Sequence, residues 1–254
     1  MDNSIKEYLD EQAYLINVPA FIANDPVQFP RRYTRMQDIE IAAFTTAAIA
    51  WGNRKIILKS ADRMLSKMGG SPYDFVMNGA YKTLGSANVH RTFFEHDLAW
   101  MLRGFQHIYK KHESLEAFLK TMPIKNGWDV VSALCSEMQK PNDGKLNCRC
   151  FPSRFEHSAL KRVNLALRWL VRSDGIVDIG VWKFMRPDQL YIPLDLHVGN
   201  TARQLGLLNR KSNDRKAVEE LTTLLREFCP EDPVKYDFAL FGIGVNQRPT
   251  MLLG

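Results

Sequence analysis

Residues Glu40–Trp51, "EIAAFTTAAIAW", carry one acid and two threonines among residues that are otherwise small or apolar. A helix on a protein surface keeps a polar face, whereas a stretch apolar nearly all round belongs to a helix enclosed by others. The segment therefore predicts a central core helix, and with it an all-α protein.

Outward from this segment, apolar residues recur at intervals of three and four along most of the chain, and no strong strand pattern appears. After the turn "WGNRK", Asn53 is placed to cap a second helix. Its apolar positions Ile56, Ile57, Ala61, Met64, Leu65 and Met68 lead to a stop at Gly69 and Gly70. Phe94–Tyr109 puts Leu98, Met101, Leu102, Phe105 and Ile108 on one stripe, and shorter helices are expected over Leu115–Leu119 and Val130–Met138. "PNDG" at Pro141–Gly144 reads as a turn or an exposed excursion. From Ser158, "SALKRVNLALRWLVRS" reads as a capped amphipathic helix that buries Leu160, Val163, Leu167 and Leu170. A connector leads to Asp195, which starts a helix closed by Gly206. Ala217–Phe228 forms another, and Asp232-Pro233 opens a last one. The sum is a compact all-α protein of about ten helices, in one lobe or two, with no Pro-, Gly- or Ser-rich linker to mark a boundary, so residues 1–254 are taken as one unit.

With 254 residues and 45% hydrophobic content, the chain can bury a large core. Its net charge of +6 points weakly toward a polyanionic partner. The four cysteines, Cys135, Cys148, Cys150 and Cys229, make no CxxC pairs, and "CRC" at 148–150 reads as ordinary thiols. No secretory signal or membrane span is visible, which leaves a cytoplasmic monomer that needs no metal or cofactor as the simplest expectation.

On a helical wheel Lys161, Arg168 and Arg172 fall within about 40° of one another, away from the buried stripe. Such a face is either solvated, or turned toward phosphate, or carries one lysine lowered into a cleft. A lysine in an apolar, positively charged cleft loses proton affinity and can act as an amine nucleophile. It needs a carboxylate nearby to take up a proton and to stabilise positive charge at the carbon under attack. In "IPLDLHVGNTARQLGLL", Ile192–Leu208, Asp195 is either that carboxylate or simply an N-cap, and the two roles are compatible.

"IPLDLHVGNTARQLGLL" resembles the segment of the helix-hairpin-helix base-excision glycosylases in which an apolar residue, an aspartate, a small residue, a histidine and an apolar residue begin a helix. Lys161 then aligns with the lysine nucleophile of the bifunctional members. Asp195 follows it by 34 residues, a spacing nearest that of the archaeal 8-oxoguanine DNA glycosylase. "AAFTTAAIAWGNRKIILKSADRML" resembles the segment in which a buried helix delivers a polar residue to DNA, here Asn53. Over nearly its whole length, through "DPVQFPRRYTRMQDIEIAAF", "SPYDFV", "LALRWLVRSDG", "IPLDLHVG" and "EDPVKYDFALFGIGV", the chain resembles a bacterial domain-of-unknown-function family, number 2400 in that series.

The glycosylase resemblance implies an enzyme that excises an oxidised purine such as 8-oxoguanine from DNA, with AP lyase activity. Lys161 attacks the sugar and Asp195 assists. His197 is a candidate proton shuttle, Trp51 a wall of the base pocket or a core residue, and Asn53, Arg54, Lys55, Arg168 and Arg172 candidate DNA contacts. Arg31 to Tyr33, "RRY", could also meet phosphate or simply form a surface turn. The resemblance does not extend to the glycine-rich hairpin that grips phosphate in those enzymes, because the corresponding "CFPSRFEHSALK" has no glycine. Nor does it extend to their four-cysteine iron–sulfur loop, and Leu196 replaces the expected threonine or valine. Two other readings remain open: a non-catalytic nucleic-acid-binding protein on the same scaffold, and a helical protein-interaction module.

Overall fold

A computed structural model describes residues 3–147, 149–151 and 157–246. Cys148 and residues 152–156 of "CFPSRFEHSALK" lie outside that set. The described chain is mostly helical: α1 (Asn3–Ile16), α2 (Pro19–Ile22), α3 (Met36–Ala48), α4 (Arg54–Ser66) and α5 (Pro72–Met77) precede a short antiparallel hairpin, β1 (Asn88–His90) and β2 (Phe93–Phe94). Then follow α6 (Glu95–Tyr109), α7 (Leu115–Leu119), α8 (Gly127–Gln139), α9 (Lys161–Val171), α10 (Leu196–Gln204), α11 (Arg215–Phe228) and α12 (Tyr236–Asn246). The hairpin is too short to leave a period-two signature in sequence. No described helix is long and apolar enough to cross a membrane.

The predicted core helix is α3, in which every residue from Asp38 to Ala48 is buried. It packs against α9, α5 and α6, while α12 is held between α1 and α10. The one acid in the core stretch, Glu40, is fully buried and accepts four hydrogen bonds. Its Oε1 takes Glu116 N–H at 3.0 Å and Trp182 Nε1–H at 2.7 Å; its Oε2 takes Leu115 N–H at 2.9 Å and the Tyr109 hydroxyl at 3.0 Å. The carboxylate thus ties the start of α7 and the connector after α9 to the central helix. Burial still dominates over these donors and lifts its pKa to about 7.

α3 ends at Ala48, short of the expected Trp51. The carbonyls that a longer helix would leave open at its end are taken by distant side chains. Arg162 donates to Ala48 O at 2.8 Å, Lys161 Nζ to Ala50 O at 2.8 Å, and His90 Nε2 to Trp51 O at 2.9 Å. Gly52, at φ +100°, then turns the chain; a Cβ there would stand 2.5 Å from the Arg91 guanidinium. The helix expected from Ser158 likewise begins later, at Lys161, because Leu160 adopts a left-handed conformation.

The predicted phosphate-facing stripe on α9 is corrected at two of its three positions. Arg168 and Arg172 are only 3% and 5% exposed and are enclosed by carboxylates from later elements. Arg168 meets Asp178 at 3.2 Å and pairs with Asp237. Arg172 meets Asp232 at 2.8 Å and Asp178 at 3.1 Å, and also pairs with Asp174. Burial opposes the charge of both guanidiniums, but these carboxylates outweigh it and raise their proton affinity. Both side chains tie α9 to α12 and the connector, so neither is available to a phosphate. In the "RRY" stretch, Arg31 donates to Val177 O at 2.9 Å and Arg32 pairs with Asp62 at 2.7 Å, so both are engaged within the fold.

Candidate functional site

Asp195 occupies the N-cap of α10, where its Oδ1 accepts Val198 N–H at 2.9 Å. Its backbone carbonyl accepts from Asn213 Nδ2 at 2.9 Å, and Asn213 is itself held by Arg203 at 2.6 Å. The other carboxylate oxygen, Oδ2, stands 3.9 Å from Lys161 Nζ. Cap and cleft-facing carboxylate are therefore one residue, with one oxygen for each role. Lys161 is the first residue of α9, and its Nζ is anchored on Ala50 O, the carbonyl exposed by the early end of α3. At 3.9 Å the amine and carboxylate attract as an ion pair but are not hydrogen-bonded, and a small movement brings them to proton-transfer distance.

The pair opens on a cleft of about 1280 Å³. Trp51, Asn53, Arg54, Lys55, Arg168 and His197 line it as well, so of the predicted site residues only Arg172 lies elsewhere. Trp51 is half-buried and is a wall of the cleft. Arg91 lies 4.5 Å over its ring, and His90 meets it edge-on at 5.8 Å. Asn53 Oδ1 caps α4 by accepting Ile56 N–H at 3.3 Å. Arg54 sits 4.9 Å over the Phe241 ring and 3.9 Å from Asp25, while Lys55 is exposed. His197 is exposed at the rim, with its ring edge-on to Phe241. No cluster of His, Cys, Asp and Glu suited to a metal occurs among the described residues.

The reading from sequence missed two further aspartates in the cleft wall, Asp25 and Asp237. Asp25 caps a short 3-10 turn through Val27 N–H at 3.0 Å. Burial raises its pKa, against that hydrogen bond and the nearby charges of Arg168, Arg54 and Lys161. Asp237 Oδ2 accepts from the Arg168 guanidinium, and no described residue engages its Oδ1. Burial lifts its carboxyl to about 7 against the pull of Arg168 and Lys161, with the Asp195 charge pushing the same way as burial. A signal for Asp237 existed: it is the only charged residue in the apolar run "YDFALFGIGVN", and a lone acid in such a run is rarely buried without a partner. Asp25, in "NDP", looked like ordinary turn chemistry.

Residues 25–246 match the family model described as "Protein of unknown function (DUF2400)", and the chain belongs to that family. No curated protein and no solved structure matches it.

Proposed function

We propose that this DUF2400 chain is a DNA glycosylase with AP lyase activity, and that an oxidised purine such as 8-oxoguanine is the base it removes. The observation that carries the reading is the 3.9 Å approach of Lys161 Nζ to Asp195 Oδ2 at the mouth of α10, inside the large cleft. A nucleotide flipped from its stack would enter between Trp51 and Phe241. The cleft exceeds the roughly 300–1,000 Å³ typical of small-ligand pockets, which leaves room for the flanking backbone. The oxygens of Asp25 and Asp237 would face the N–H donors that distinguish an oxidised purine.

In the reaction the Lys161 lone pair forms a bond to the sugar C1′, and the glycosidic electron pair leaves with the base. Asp195 takes the proton released from the attacking amine and offsets the positive charge that develops on the sugar. Opening of the sugar ring gives a Schiff base between Lys161 and C1′; a base then removes a C2′ proton, its electron pair forms the C2′–C3′ double bond, and the 3′ phosphate departs with the C3′–O electrons, which breaks the strand. Borohydride reduction of this Schiff base on oligonucleotides carrying single lesions is the test. Wild-type protein should be trapped on an oxidised-purine strand, and Lys161→Gln should not. If no lesion gives an adduct, the proposal fails and a non-catalytic nucleic-acid-binding role on this scaffold takes its place; if Lys161→Gln is still trapped, another amine is the nucleophile and the Lys161 mechanism fails.

A further inference from the structure

We infer that the exposed face of α4 is a track for the phosphate backbone of a nucleic-acid strand entering the cleft, with Lys55, Lys59, Arg63 and Arg91 as its contacts. The inference rests on the cleft being a nucleic-acid site. Lys55, Lys59 and Arg63 are exposed and follow one another at four-residue steps along α4. Such steps rise about 6 Å each and drift only about 40° around the axis, so the three cations form one row. Arg63 is fixed by donating to Val89 O at 2.7 Å, which docks β1 beside α4 and sets Arg91, at the hairpin tip, next to the row. Arg91 lies over Trp51, and both Trp51 and Lys55 line the cleft, so the row and the cleft are continuous.

Among the described residues no carboxylate pairs with any of these four cations, and unlike the scattered unpaired lysines elsewhere they stand together beside the cleft. Exposed arginines such as Arg35 and Arg186, by contrast, are paired with Asp74 and Asp188. On α4 itself, the one acid, Asp62, is occupied by Arg32, and Lys67, the next basic position after Arg63, is paired with Glu95. An unneutralised row leading to a cleft matches a polyanion laid along it, and release of that polyanion's counterions makes binding depend on salt. The track also supplies phosphate contacts that the chain does not obtain from a glycine-rich hairpin.

The test is fluorescence anisotropy of the full chain with an undamaged 20-mer duplex over a salt series. Each lost phosphate contact lowers the slope of log K against log salt by about 0.9. The triple variant Lys59→Ala, Arg63→Ala, Arg91→Ala should therefore lose about 3 from the slope and bind at least tenfold more weakly at 0.1 M salt. The double variant Lys55→Ala, Lys59→Ala, which removes no internal contact of the fold, should lose about 2. A control triple at the exposed Lys110, Lys211 and Lys216 should leave the slope unchanged. Wild-type slopes in both α4 variants, an equal loss in the control, or α4-dependent binding to phosphatidylserine vesicles without binding to the duplex would overturn the track. Trapping separates this failure from that of the chemistry: an adduct with an unaltered slope sinks the track alone, and a reduced slope without any adduct sinks only the lysine mechanism.

Discussion

Glu40→Gln tests how the central helix organises its surroundings. The Glu40 carboxyl moves from an ordinary value of 4.5 to about 7 on folding. The folded state thus holds the proton more tightly than the open chain. Its contribution to stability is fully present below about pH 4.5 and lost as pH rises through about 7, a change of ~3 kcal/mol. Glutamine has no such dependence, but its amide nitrogen must face one of the two donor pairs. The best arrangement turns it toward Tyr109, whose hydroxyl can rotate to accept, and leaves Leu115 N–H without an acceptor, at a cost of ~1–3 kcal/mol. Urea denaturation should therefore find Glu40→Gln less stable than wild type at pH 5 by that amount. The deficit should shrink by ~2–3 kcal/mol, or reverse, at pH 8. Taking the difference between the two proteins cancels other titrating groups such as Asp237. A difference that stays constant from pH 5 to pH 8 would refute the reasoning.

Other substitutions probe the cluster, the packing and the site. Arg168→Met leaves Asp237 buried without its cation and Asp178 with Arg172 alone, so chemical denaturation should show a loss of ~3–5 kcal/mol. Gly104→Ala would place a Cβ 2.6 Å from Met138 Cγ and 2.7 Å from its Cβ, and the overpacking should lower stability by ~1–3 kcal/mol in chemical denaturation. Asp195→Asn keeps an equivalent helix cap, so its unfolding free energy should stay within ~0.5 kcal/mol of wild type, while adduct formation should slow by about 10²–10⁴-fold through loss of the base. A matching fall in stability would make Asp195 only a cap.

What the sequence disclosed was local. Asn53 and Asp195 were readable as caps because an N-cap needs only its own helix, and α7 was bounded correctly because Ser114 caps it within four residues. The helical class followed from the apolar surround of α3. The errors that matter most for the site involve partners outside the helix being read. α3 ends early because Arg162, Lys161 and His90 take its last carbonyls, and nothing within "AAIAWGN" announces them. Arg168 and Arg172 looked like a basic face because the wheel shows one helix, whereas Asp174, Asp178, Asp232 and Asp237 that enclose them lie after it. For the site, helix order and two spaced residues were enough to nominate Lys161 and Asp195. Asp25 needed the third dimension, because its turn is ordinary in sequence and only its position in the cleft wall is not.

The most direct measurement is to locate the bond. Protein reduced by borohydride on an oxidised-purine strand, digested with a protease and analysed by mass spectrometry, should carry the sugar remnant on Lys161, with that lysine resistant to tryptic cleavage. A remnant on Lys55, Lys183 or the terminal amine instead would contradict the assignment of Lys161 as the nucleophile beside Asp195.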